Sequence, residues 1–165
     1  ALVYNNQKPE DFGKYFQTIS ICLSKGLGAP IGSVLIGDKE IMEGAMRVRK
    51  VLGGGMRQVG ILAAAGLYAL ENHVERLKED HDKAKDIKET LRGLDYVAHV
   101  EPVETNIVIF NLAEGVKQDK FQEYITENDV IISNMGEGKW RVVTHLDYTP
   151  SQHREFLQIL KKFTC

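Results

Sequence analysis

The sequence predicts an α/β chain of two unequal parts, an incomplete sheet region over 1–50 and a compact α+β module over 94–165. Three observations carry this. Two β-branched, apolar runs at 18–23 and 31–36 flank a turn of small residues. Apolar residues then recur every three or four positions from Val59 to Leu91, a helical period. After Gly93 the rhythm changes to short strand-like segments interleaved with helical ones.

Taken in order, residues 1–17 are weakly organised, with a turn-rich Asn5-Asn6-Gln7-Lys8-Pro9 and apolar anchors at Phe12, Tyr15 and Phe16. The runs 18–23 and 31–36 read as buried strands, broken by Ser24-Lys25-Gly26-Leu27-Gly28-Ala29-Pro30. Asp38 can cap a helix reaching about Val48, with Glu40 well placed in its first turn. Gly53-Gly54-Gly55 is a sharp break that implies tight backbone approach or mobility. The pattern Val59, Leu62, Gly66, Leu70, Val74, Leu77, His81, Ala84, Ile87, Leu91 predicts one helix of about 33 residues, roughly 50 Å long. Such a helix must bridge two domains or bend, and Gly66 and Asn72 are its weak places. Its first half is apolar all round and reads as deeply packed; its second half, 75–89, is charged and faces water on one side. Short strands are expected at 96–100, 106–110, 130–132 and 140–144, with a helix over 117–126 burying Phe121, Tyr124 and Ile125. Thr149-Pro150-Ser151-Gln152 has the form of a capped helix start, followed by Phe156, Ile159, Leu160 and Phe163 on one face.

Composition narrows the function classes. A net charge of -2 on 165 residues weighs against a dedicated nucleic-acid binder. No apolar run approaches a membrane span, and no basic-then-apolar signal opens the chain. Cys22 and Cys165 form no CxxC pair and read as thiols in a reducing compartment, consistent with a cytoplasmic protein. The scattered His73, His81, His99 and His153 make no metal set with them. The opening Ala1-Leu2-Val3-Tyr4 reads like the middle of a polypeptide, so a fragment or processed product is expected.

Three cations stand out. Lys25 follows an apolar strand and is flanked by Gly and Ala, which leave room for a flat ligand. It is either an amine nucleophile toward an aldehyde or a surface lysine. Arg57 stands at a helix entry after the triple glycine, where it either helps bind an anion such as phosphate or pairs with a carboxylate. Arg141 shares one strand face with Val143 and His145, opposite Trp140, Val142 and Thr144. It either offers a fork to a carboxylate or is solvated. His145 and Asp147 form an orienting pair or a local structural bond.

The segment Cys22-Leu23-Ser24-Lys25-Gly26-Leu27-Gly28-Ala29-Pro30-Ile31-Gly32-Ser33 resembles the lysine segment of low-specificity L-threonine aldolases. Leu52 to Gln58 with Ile61-Leu62-Ala63-Ala64-Ala65-Gly66, and Arg141-Val142-Val143-Thr144-His145, agree with that family in the same order. The resemblance runs from about Thr18 to the C-terminus. It implies the C-terminal portion of a pyridoxal-phosphate fold type I (aminotransferase-like) subunit: the end of the large cofactor domain over 1–56, a connecting helix over 57–92, and the small α+β domain over 93–165.

By the same resemblance, Lys25 matches the lysine that carries pyridoxal 5'-phosphate as a Schiff base, Arg57 an arginine of the cofactor's anionic surroundings, and Arg141 the arginine that takes the substrate carboxylate. The implied reaction cleaves L-threonine or L-allo-threonine to glycine and acetaldehyde. The family's enzymes are usually homotetramers with sites at subunit interfaces. In them the aspartate that pairs with the pyridine nitrogen, the phosphate cup and a histidine stacked near the ring all precede the lysine, in segments this sequence does not contain. Activity is therefore expected only together with an N-terminal part of the same subunit. The other readings are a related pyridoxal-phosphate enzyme acting on a different β-hydroxy amino acid, or a non-catalytic oligomerisation fragment.

Overall fold

The computed structural model describes residues 1–164, so the reading of Cys165 as a thiol lies outside the described residues. The chain divides into two compact units, Ala1–Leu77 and Lys78–Cys165.

In the first unit the turn-rich start forms two short helices, α1 (Leu2–Asn5) and α2 (Pro9–Gly13), the second opened by its proline. Strands β1 (Thr18–Cys22) and β2 (Ser33–Gly37) follow and pair antiparallel from Thr18↔Gly37 to Cys22↔Ser33. These are the strands expected to be buried, and they are not. Ile19 and Ile21 are half-buried, while Val34, Leu35 and Ile36 are exposed. A ribbon buries its apolar side chains only where another layer packs on its face, and these positions are left exposed.

Helix α3 (Lys39–Val51) runs from its Asp38 N-cap to a last turn carrying Arg49 and Lys50, where cations favour the negative end of the helix dipole. The triple glycine is a place of close approach. A Cβ on Gly54 would lie 2.9 Å from the Arg49 carbonyl oxygen, and Gly53 has φ +86°.

The expected single helix over 57–92 is two helices, α4 (Gly60–Asn72) and α5 (Leu77–Arg92). The break has visible causes. The Asn72 amide turns back to donate to the Tyr68 carbonyl (2.9 Å), and the His73 ring bonds outside the helix to the Leu27 carbonyl. The first half is also not deeply packed. Gly66 and Ala69 are buried, but Ile61, Leu67 and Tyr68 stand 79, 60 and 61% exposed. The core of this unit consists of Leu23, Leu27, Ala29 and Ala69, backed by Ile21, Val74 and Leu77.

The second unit is a two-layer α+β module. Strands β3 (Val97–Val100) and β4 (Ile107–Leu112) come first, then α6 (Gln118–Glu127), β5 (Ser133–Asn134), β6 (Lys139–Val143) and α7 (Pro150–Lys162). The sheet is antiparallel throughout, in the order β3-β4-β6-β5. The strand expected at 130–132 is absent. Asp129 takes a left-handed φ of +57° after α6, Ile131 is 96% exposed, and pairing begins only at Ser133.

Alternation along β4 and β6 places Val108, Phe110, Leu112, Trp140 and Val142 on the inner face. The helices meet that face with Ala84, Ile87 and Leu91 of α5, Phe121 and Ile125 of α6, and Phe156, Ile159 and Leu160 of α7. Phe121 is the hub, its ring 5.0 Å from Trp140, 5.1 Å from Phe163, 5.8 Å from Tyr96 and 6.1 Å from Phe110. The start of α7 is the expected capping box: Thr149 Oγ1 accepts from the Gln152 amide, and the Gln152 side chain accepts from the Thr149 amide. Phenol bonds fasten the helices, Tyr96 to the Leu160 carbonyl (2.8 Å) and Tyr124 to the Ile159 carbonyl (2.9 Å).

Candidate active site

Lys25 rides on a loop whose shape is set by its neighbours. The loop closes where the Leu23 amide donates to the Gly32 carbonyl (2.9 Å), and inside it Gly28 donates to Lys25 (2.9 Å) and Ala29 to Leu23 (3.0 Å). Gly28 at φ +70° and Gly32 at φ +108° hold backbone conformations that side-chain-bearing residues rarely adopt. Leu23, Leu27 and Ala29 turn inward and are buried, so Lys25 between them is left facing out.

The inner side of the loop is tight. A Cβ on Gly26 would come 2.9 Å from Leu77 Cδ2, and one on Gly66 of α4 would come 3.1 Å from Leu23 Cδ1. The Lys25 amine makes no hydrogen bond or ion pair among the described residues. Two residues before it, Cys22 is a free, exposed thiol with its Sγ 3.6 Å from Ser24 Oγ. Hydrogen bonding from Ser24 pulls that thiol below its ordinary pKa, and the charge of Lys25 adds a smaller push the same way.

Arg57 lies in the turn between the triple glycine and α4, exposed, next to Gln58 in a left-handed conformation (φ +52°). With Arg49 and Lys50 closing α3, the chain on both sides of the glycines is cationic. An exposed amine on a rigid loop can condense with an aldehyde, and a cationic turn ahead of a helix can receive an anion.

Arg141 belongs to the second unit. On β6 it points away from the core, opposite Ile109 on one side and Ser133 on the other. Ile107 and Val143, each 42% exposed, are paired on the same outward face, so the guanidinium stands beside apolar surface. The strand is held beyond its end by Thr144, which is fully buried. Its hydroxyl donates to the Asp80 carbonyl (2.6 Å), its amide donates to the Asn106 carbonyl (3.0 Å), and its own carbonyl accepts from the Asn106 side chain (2.8 Å). His145 accepts through its carbonyl from the Tyr148 amide (3.0 Å), so the 145–148 stretch is a turn; no side-chain bond joins His145 to Asp147 among the described residues.

Sequence reasoning missed two features. A cavity of about 410 Å³ opens beside that turn, lined in part by Val142, His145, Asp147, Tyr148, Phe156 and Ile159. Next to it the Tyr148 hydroxyl lies 3.1 Å from His153 Nδ1, and His153 Nε2 lies 3.2 Å from Asp86. Burial raises the Tyr148 phenol above its ordinary pKa. The other missed contact, between His73 and the Lys25 loop, has no signature at all in the sequence. Among the described residues no cluster of metal-ligating side chains occurs, and no helix is long and apolar enough to cross a membrane.

Comparison with solved structures places the fold in the aminotransferase-like class of pyridoxal-phosphate enzymes. The chain superposes over 98% of its length on 48% of a Listeria monocytogenes chain assigned as an L-allo-threonine aldolase, with TM-score 0.78 and 16% identity. It also superposes over 97% of its length on 50% of the histidinol-phosphate aminotransferase of Clostridium acetobutylicum, with TM-score 0.66 and 17% identity. Residues 1–115 match the family model "Beta-eliminating lyase", and the chain belongs to that family. The low specificity L-threonine aldolase of Escherichia coli K12 is 43% identical over 155 residues, 94% of this chain and 45% of that protein. Low-specificity L-threonine aldolase 1 of Arabidopsis thaliana is 39% identical over 141 residues, 84% of this chain and 39% of that protein. The chain thus spans less than half the length of these curated relatives.

Proposed function

We propose that this chain is the C-terminal part of a pyridoxal-phosphate-dependent aldolase that cleaves L-threonine or L-allo-threonine to glycine and acetaldehyde. The observation that carries this reading is Lys25, an exposed amine without hydrogen-bond partners among the described residues, on a loop anchored by the buried Leu23 and Leu27. The donor set fits the cofactor: a primary amine for its aldehyde, and the cationic turn at Arg57 for its phosphate. When bound, pyridoxal phosphate supplies an electron sink for the pair released as the Cα–Cβ bond breaks.

The chain's own residues do the rest. Lys25 would hold the cofactor through its amine. Arg57 holds the anionic end. Arg141 takes the substrate carboxylate in a bidentate fork, which fixes rotation about Cα and selects the bond to be cleaved. The apolar Ile107 and Val143 lie beside it on the same face.

The activity also requires an N-terminal part of the subunit, in keeping with the share of the relatives' length that this chain spans. Residues 1–56 then belong with the large domain, 93–165 form the small one, and 57–92 connect them. A cytoplasmic homotetramer is part of the same reading. The exposed apolar side chains of Val51, Leu52 and Ile61 (85, 81 and 79%) support burial against other protein surface.

The test is to incubate with pyridoxal phosphate, reduce with borohydride, digest and map the adduct by mass spectrometry. A single dominant pyridoxyl group on Lys25, weakened in Arg57→Ala, is the expected result. Labelling spread evenly over the surface lysines would refute a selective site.

A further inference from the structure

We infer that His73 is a positioning residue for Lys25, holding the cofactor loop in register from the end of α4. This rests on the assignment of Lys25 as the cofactor lysine.

The contact is short and its direction is fixed by chemistry. His73 Nδ1 lies 2.6 Å from the Leu27 carbonyl oxygen, and a carbonyl oxygen only accepts. Nδ1 therefore carries the hydrogen, whether the ring is neutral or protonated. The bond reaches across 46 positions to the middle of the Lys25 loop, two residues from the amine-bearing position.

Every other tie on this loop is either internal to it or apolar. The Leu23–Gly32, Lys25–Gly28 and Leu23–Ala29 backbone bonds close the loop on itself. Leu23, Leu27 and Ala29 pack on Ala69, a contact that resists lifting but is non-directional and tolerates sliding. The His73 bond is directional and stops the slide, because the imidazole is itself fixed. Its amide donates to the Ala69 carbonyl (2.9 Å), and its ring meets Tyr68 edge-on at 5.5 Å. The bond sits where α4 ends, with His73 as its C-cap residue.

The effect of such a tie falls on how often the Lys25 amine is presented in a reactive position, more than on how tightly the phosphate binds. In the full-length subunit, the rate of covalent attachment of pyridoxal phosphate is followed by its visible absorbance as a function of cofactor concentration. This separates the limiting rate from the half-saturating concentration. His73→Phe keeps the ring contact with Tyr68 and removes the donor. His73→Gln keeps a donor at the wrong reach and serves if the Phe variant fails to fold. His73→Asn places its Nδ2 where the imidazole Nδ1 stands and restores the bond.

The expected result is a limiting rate about tenfold lower in H73F and H73Q, the fold-change of one lost hydrogen bond of ordinary net worth. The half-saturating concentration should change less than twofold, and H73N should return to near the parental rate. Trypsin under native conditions should also cut faster after Lys25 in H73F and H73Q than in H73N. Equal limiting rates in the parent and in H73F or H73Q overturn the role of His73 while leaving Lys25 as the cofactor lysine. Borohydride-trapped adducts absent from Lys25 in the parent overturn both.

Discussion

Thr144 follows directly on the strand that carries Arg141, and replacing it by valine tests how that strand is held. Valine has nearly the shape of threonine, so Thr144→Val opens no cavity and removes one hydroxyl. At this fully buried position the hydroxyl donates to the Asp80 carbonyl at 2.6 Å, a bond the variant lacks. Losing one buried hydrogen bond costs about 0.5–1.5 kcal/mol net, and about 1 is expected here because the Asn106 bonds to the Thr144 backbone remain. Trp140 is the only tryptophan of the chain and lies buried in the same unit, so its fluorescence reports that unit's unfolding alone. With a urea m-value of about 1 kcal/mol/M for a unit of this size, the midpoint should fall by about 1 M. Thr144→Ser, which keeps the hydroxyl, should recover most of the loss. A midpoint shift below about 0.3 M in T144V would refute the reasoning and mean that Thr144 is placed by its backbone alone.

Phe121→Ala removes the hub of four ring contacts at a fully buried site. It should cost about 4 kcal/mol in the same urea assay, enough to leave the second unit marginal. His81 is buried, and desolvation holds its imidazole below the ordinary pKa. Its contribution to stability is therefore full above the ordinary histidine pKa and lost as the pH falls through the depressed value, because the unfolded chain takes up the proton first. The urea midpoint of the parent should drop between pH 7 and pH 5, and His81→Gln should flatten that drop.

The sequence was most legible where local pattern and burial agree. The two-residue period of 140–144 put Trp140, Val142 and Thr144 on one face and Arg141 on the other, and in the structure the first of these faces is the buried one. The Thr149–Gln152 capping box is a purely local device and was readable for that reason. The helix over 57–92 misled because its apolar spacing continues in phase through Leu70, Val74 and Leu77 with no proline or glycine at the break. The break falls at Asn72, one of the two weak places read from the sequence, and what no local pattern records is the bond just beyond it, from His73 to a carbonyl 46 positions away. The run 130–132 is β-branched and reads as a strand, yet strand formation needs a partner, and the sheet edge first meets the chain at Ser133. At the site, Lys25 and its glycines stood out as a motif, whereas the tie that fixes the loop did not.

The two units are unequal in a way that bears on how the polypeptide matures. The second encloses seventeen buried apolar residues around one continuous aromatic centre; the first encloses four. Structure that carries its own core condenses soon after it leaves the ribosome, while a ribbon and helices with exposed apolar side chains stay open to chaperones and proteases until other protein surface covers them. On the proposed role of Lys25, the half that bears it is the half whose survival depends on assembly, and an unassembled chain loses that site before it loses its second unit.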